Sequence, residues 1–203
     1  PAYTPERVTK EAWDLGTLDA PWLVGVVSAS AEACKGANWG HLGDRAPTPL
    51  HRALAPPPLL TPAIKAAFKA SKGVKKHQVD YAKETGKKDH WLDDAKIEIT
   101  LYVGGSARYA FARARKGNPC GGWYGEQWEA YRVTGPTANP TIERIGGAES
   151  DFESRTVLRD AKNGQLHFVG VEGFGQTWTR MTTEKGTLKE KGSFYPLSLD
   201  CGC

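Results

Sequence analysis

From Lys96 to the end of the chain, turn signals recur at short intervals and no helical periodicity lies between them. Gly104-Gly105, Gly135-Pro136, Asn139-Pro140, Asn163-Gly164, Gly173-Phe174-Gly175, Lys185-Gly186 and Lys191-Gly192 punctuate runs that are short, apolar and rich in β-branched or aromatic residues. The first run is the clearest. Ile97, Ile99, Leu101 and Val103 alternate with Lys96, Glu98, Thr100 and Tyr102, the period-two pattern of a strand with one buried face. Further strands are expected at Ala107–Arg115, Glu126–Thr134, Thr141–Ile145, Phe152–Arg159, Gln165–Val171, Gln176–Thr183 and Ser193–Leu199. An antiparallel meander of about eight strands must curl, close into a barrel or stack as a sandwich to hide its apolar face.

The first 95 residues read differently. Thr4-Pro5-Glu6 has the chemistry of a helix start, with Val8, Ala12 and Leu15 facing inward and Gly16 as the stop. Trp22–Ser28 reads as a buried strand, and the small residues Ser28–Cys34 as a short helix. Gly36–Thr61 carries Pro47, Pro49 and the triplet Pro56-Pro57-Pro58, which predicts an irregular strap across the surface. Thr61-Pro62 opens a helix with Ile64, Ala67, Phe68 and Ser71 on one face and Gly73 as its stop. Val74–Thr85 fits either helix or strand. Eight lysines against Asp80 and Glu84 make Lys65–Lys88 locally basic, as a solvated face would be. The fold class expected is therefore α+β, a single domain over residues 1–203, with a helical and proline-rich part (1–95) and an antiparallel β part (96–203).

Cys34, Cys120, Cys201 and Cys203 are even in number, and no Cys-x-x-Cys or Cys/His cluster has zinc-site spacing, so two disulfides are expected. A Cys201–Cys203 bridge would close a very small ring. Either Cys34 joins Cys201 and Cys120 joins Cys203, or the partners exchange. Disulfides imply an oxidising compartment: secreted, periplasmic or cell-surface. The start at Pro1 without Met fits removal of a signal peptide or of a tag. No apolar run approaches the ~20 residues of a membrane-spanning helix. A net charge of +4, without a basic tail, predicts no nucleic-acid partner.

The densest unusual chemistry lies in Lys116–Tyr131, read as a glycine-rich hairpin loop pinned through Cys120. Its aromatic residues Trp123, Tyr124, Trp128 and Tyr131 are candidates for binding a protein partner or a polysaccharide, or else for filling the core. Glu126 and Glu129 flank Trp128, as acid and base do in glycoside hydrolases, but residues three apart on a strand point to opposite faces. A cooperating carboxylate would then have to come from elsewhere, such as Glu143 or Glu172. His90 and Asp93, in His90-Trp-Leu-Asp93-Asp94, form a weaker acid–base candidate, and Asp residues before a strand more often make a turn. No cofactor motif is present: Gly170–Gly175 lacks the strand-to-helix context of a phosphate loop, and no Gly-x-Ser-x-Gly elbow occurs. The sequence favours a non-catalytic extracytoplasmic binding or assembly module, ahead of an extracellular polysaccharide hydrolase or a structural subunit.

Overall fold

The computed structural model describes residues 3–7, 23–27, 47–53, 56–118, 120–173 and 177–194. They belong to two units, 1–42 and 43–203. In the first unit, β1 (Tyr3–Arg7) pairs antiparallel with β2 (Leu23–Val27), Tyr3 opposite Val27 and Arg7 opposite Leu23. The segment expected to start a helix at Thr4 is thus a strand, because a pairing partner outweighs a local capping signal. Position β2 agrees with the expected Trp22–Ser28 strand. The helix expected over Ser28–Cys34 lies outside the described residues.

Among its described residues the second unit holds two five-stranded antiparallel sheets and two helices. Short β3 (Thr48–Pro49) and β4 (His51–Ala53) precede α1 (Leu60–Lys69) and α2 (Lys72–Thr85). The remainder is a meander: β5 (Glu98–Gly104), β6 (Ala107–Asn118), β7 (Gly121–Thr134), β8 (Thr141–Ala148), β9 (Glu153–Arg159), β10 (Leu166–Glu172), β11 (Thr177–Glu184) and β12 (Thr187–Phe194). One sheet runs β4-β5-β6-β7-β8, the other β12-β11-β10-β9-β3, so the stacked arrangement is realised and the barrel is not. The proline-rich strap expected on the surface has a structural role. Thr48 and Pro49 pair with β9, His51–Ala53 pair with β5, and Leu50 between them is buried, so the chain edges both sheets in turn.

Two cores follow from this layering. Tyr102, Phe111, Trp128 and Ile145 of the first sheet meet Val157, Leu166, Phe168 and Met181 of the second. Trp128 stacks on Phe111 at 5.4 Å, Phe152 packs against both rings, and Tyr102 donates its hydroxyl to the Ser154 carbonyl at 2.9 Å across the layers. On the outer face of the first sheet, Leu101, Ala110, Ala112, Tyr131 and Val133 meet Leu60, Ile64 and Phe68 of α1 and Val74 and Tyr81 of α2. The small alanines of β6 let the helices come close.

The helix boundaries differ from expectation for local reasons. Helix α1 begins at Leu60, where the Pro57 carbonyl accepts from the Leu60 and Thr61 amides, and ends at Lys69. Ser71 is not its last turn but the N-cap of α2, accepting from the Val74 amide at 3.3 Å. Gly73 lies inside α2, where any Cβ would collide with the buried Gln127 side chain. Segment Val74–Thr85 is helix because Val74, His77 and Tyr81 bury one face while Val79 stays exposed. Gly86, left-handed at φ 68°, closes it. In β12, Lys191-Gly192 is a bulge rather than a turn, since Arg180 pairs with Gly192 and Met181 with Glu190.

At Gly170 in β10 a Cβ would run into the Glu153 carbonyl and the Phe152 ring, whereas Gly121 faces open space. Gly170→Ala is expected to cost about 1–3 kcal/mol in urea denaturation by overpacking, and Gly121→Ala less than about 0.5 kcal/mol; equal midpoints for the two variants would contradict this packing.

Candidate functional site

The stretch expected as a hairpin loop is instead the outer part of a long two-stranded ribbon. Lys116 pairs with Gly125 and Gly117 with Tyr124, and the ladder resumes at Asn118 with Gly121. The Asn118 side chain accepts from the Cys120 amide at 3.0 Å and rounds the tip. Gly117 adopts φ 98°, and a Cβ there would strike the Trp123 carbonyl. Gly125 clears room for the Trp123 ring. These glycines therefore seat one tryptophan on a strand and do not form a loop.

Strand β7 is buried on both faces, so its side chains part by parity. Trp123, Gln127, Glu129, Tyr131 and Val133 face the helices; Tyr124, Glu126, Trp128 and Ala130 face the second sheet. Trp123, half-buried, lies edge-on to Tyr81 (4.8 Å), Trp91 (5.9 Å) and His77 (6.2 Å). His77 in turn hydrogen-bonds the Glu126 carbonyl at 2.9 Å. Trp128 and Tyr131 are each 2% exposed. Neither offers a ring face to solvent, and apolar burial on both sides of β7 takes them up. Only Tyr124, half-buried, and Trp123 retain exposed surface among the four.

The two glutamates sit in separate environments. Glu129 is fully buried under the start of α2, with Arg144 on one oxygen and the Gln127 amide on the other at 3.1 Å. Burial pushes its carboxyl up, while Arg144, Ser71 and Gln127 pull it back. Its partners are structural, and Gly147 is the residue small enough to admit it. Glu126, 4% exposed, accepts the Tyr124 hydroxyl on Oε2, while Oε1 has no hydrogen-bond partner among the described residues. Burial raises the Glu126 carboxyl above the ordinary range, the nearby negative charge of Asp151 adds to this, and Tyr124, Arg113 and Arg115 oppose it. Burial and then Glu126 likewise raise the Tyr124 phenol.

Around Glu126 the end of the sandwich is polar. Arg113 spans the sheets, 3.3 Å from Glu98 and 3.4 Å from Glu153. Ser150, in the β8–β9 link, accepts from Trp128 Nε1 at 3.0 Å and donates to Glu172 at 2.7 Å, and Thr179 donates to the other Glu172 oxygen at 2.8 Å. Asp151 accepts from the Gly173 amide at 2.8 Å. Sequence reading missed Ser150, Asp151, Arg113 and Arg115. The arginines share the parity of Tyr109 and Phe111, a signal present in the sequence, whereas nothing local places the β8–β9 link beside β7.

The remaining candidates are brought together with neither glutamate. Glu143 pairs with Arg132 at 3.6 Å on an exposed edge. Asp93 accepts the His90 amide at 2.9 Å, and His90 Nδ1 faces the Leu92 amide at 3.1 Å, so these two build the turn that drives Trp91 into the core. Trp91 Nε1 then donates to the Val74 carbonyl at 3.0 Å. Among the described residues no group of three or more His, Cys, Asp or Glu is placed to hold a metal ion, and no described helix is long and apolar enough to cross a membrane. Cys120 lies at the ribbon tip, and Cys34, Cys201 and Cys203 lie outside the described residues. A surface depression between the β9–β10 and β11–β12 turns, lined by Asn163, Gln165, Thr183 and Lys189, lies at the far end of β10 from Glu172. It gathers no buried acid, so Glu126 marks the better site. Compared with family models, with curated proteins and with solved structures, the chain matches none.

A carboxyl raised in the folded state favours folding fully below its unfolded value, 4.5, and loses that contribution as pH rises through its folded value. Glu126→Gln, which stays neutral, should therefore gain stability relative to the wild type as pH rises from 4 to 8. Chemical denaturation across that range checks it; a difference that is flat or of opposite slope would contradict the raised carboxyl.

Proposed function

We propose that the protein is a non-catalytic extracytoplasmic binding module whose contact surface is the end of the sandwich at the base of the β6–β7 ribbon. The observation that carries the reading is the Glu126 carboxyl, almost wholly buried, held by Tyr124 through one oxygen and unpartnered at the other among the described residues. A buried polar atom left this way costs on the order of 1–3 kcal/mol, which a ligand group can recover. The unpartnered Glu126 Oε1 can accept a ligand hydroxyl, the half-buried Tyr124 ring offers an apolar flank, and exposed Arg115 offers donors at the rim. That set fits a hydroxyl-rich ligand, so an oligosaccharide is the proposed class. The staple through Cys120 to the C-terminal cysteines, and with it an oxidising compartment, belongs to the same proposal and is supported by the even number of cysteines and their lack of zinc-site spacing.

The hydrolase reading has one observation in its favour, the raised Glu126 carboxyl beside the charge of Asp151. The two readings part in one experiment. Calorimetric titration with a panel of cello-, xylo-, malto- and chito-oligosaccharides should give saturable binding of at least one, weakened about tenfold or more by Glu126→Gln and by Tyr124→Phe, with no cooperative unfolding lost in either variant. No binding to any member, or binding indifferent to both substitutions, would remove the assignment. Release of new reducing ends that Glu126→Gln abolishes would replace it with the hydrolase.

A further inference from the structure

The outer surface of the helical layer has a chemistry that neither the cores nor the Glu126 site uses. Lys65, Lys69, Lys72, Lys75, Lys76, Lys83, Lys87 and Lys88 are all exposed. The acids within this stretch are Asp80 and Glu84, so its formal charge exceeds the +4 of the whole chain and the rest of the molecule is net acidic. The positive field is thus concentrated on one layer. On α2, Lys72, Lys76, Val79 and Lys83 follow at intervals of four, three and four residues, opposite the buried Val74, His77 and Tyr81. This outward stripe runs roughly 16 Å along the helix at 1.5 Å per residue. Lys76 is held by Glu149 at 2.9 Å, and the other lysines of the stripe flank it.

A second feature lies on the same layer. Among the described residues the exposed large hydrophobic side chains are Leu59, 64% exposed, and Val79, 66% exposed. One precedes α1 and the other stands within the lysine stripe of α2. Elsewhere on this surface such residues are withheld from water, so their coincidence with the lysines calls for an occupant that rewards both. A solvated polyanion would engage the lysines and leave Leu59 and Val79 wet. A bilayer with anionic headgroups engages both, since lysines draw the helix to the phosphates and apolar side chains enter the interface. The layer also contains no arginine, the side chain that grips phosphodiester or sulfate oxygens in a fork, and lysine serves as a point charge at a diffuse headgroup layer.

We infer that the α1–α2 face is a docking surface for an anionic lipid bilayer, peripheral and electrostatic, with Val79 and Leu59 entering the interface. It acts independently of the Glu126 site, which lies on the other side of the first sheet. Vesicle co-sedimentation tests it with the full chain, using phosphatidylcholine vesicles with and without 30% phosphatidylserine. The wild type should bind the anionic vesicles and not the neutral ones. Lys72→Gln/Lys75→Gln/Lys83→Gln should lower the affinity on the order of a hundredfold, while a matched control, Lys96→Gln/Lys162→Gln/Lys189→Gln, should lower it by less than about fivefold. Val79→Ser should weaken vesicle binding severalfold without changing charge. These substitutions are at exposed positions, and an unchanged thermal melt confirms the fold. No binding to anionic vesicles would overturn the inference, as would equal losses from the two triple variants. So would vesicle binding indifferent to Val79→Ser combined with tighter binding to heparin or duplex DNA, which would make the surface a polyanion site.

Discussion

Strand β7 is covered on both faces, and the rest of the second unit is arranged around that constraint. A strand with one wet face needs only alternation, but β7 must satisfy two cores with one run of residues. It does so by parity: Trp128 and Ala130 serve the space between the sheets, and Tyr131 and Val133 serve the helices. The polar residues in the run are satisfied unevenly, and the Gln127 carbonyl oxygen and the Tyr131 hydroxyl have no hydrogen-bond partner among the described residues. Glu129 takes Arg144 and Gln127, and Gln127 fills the space beneath Gly73 of α2. Glu126 alone among the β7 carboxylates keeps an oxygen unpartnered among the described residues.

The same constraint explains what was legible in the sequence. Ile97–Val103 could be read because one face of β5 is more polar than the other, and the Asn163-Gly164 turn because its residues are chosen for the turn itself. Strand β7 was concealed from Gly121 to Gly125, since glycines that make room for Trp123 look, in one dimension, like glycines that make a loop. Thr4-Pro5-Glu6 carried a sound helix-start signal that lost to pairing with Val24–Val26. Lys191-Gly192 looked like a turn because a bulge and a turn ask for the same residue. In the candidate site, the opposite orientation of Glu126 and Glu129 follows from strand geometry alone. Its neighbours Ser150 and Asp151 could not be read, because the pairing of two sheets, and not any local pattern, brings them there.

The two surfaces left over by the packing have opposite characters. One is a small polar cluster around a buried acid, set between sheets that Arg113 and Tyr102 tie together. The other is a broad cationic face on helices whose inner sides are fully used. A division of labour in which the face holds the protein at a charged surface and the cluster selects a ligand is consistent with both. Their separation by a whole sheet lets each be altered without disturbing the other.

The central claim is that burial holds the Glu126 carboxyl above the range of a solvated glutamate in the folded protein. Carbon-13 NMR of side-chain carboxyls, assigned by comparison with Glu126→Gln, measures this directly. The account predicts a Glu126 midpoint above 4.5, while Glu184, held by Lys191, titrates below it. A Glu126 midpoint at or below that of Glu184 would contradict it.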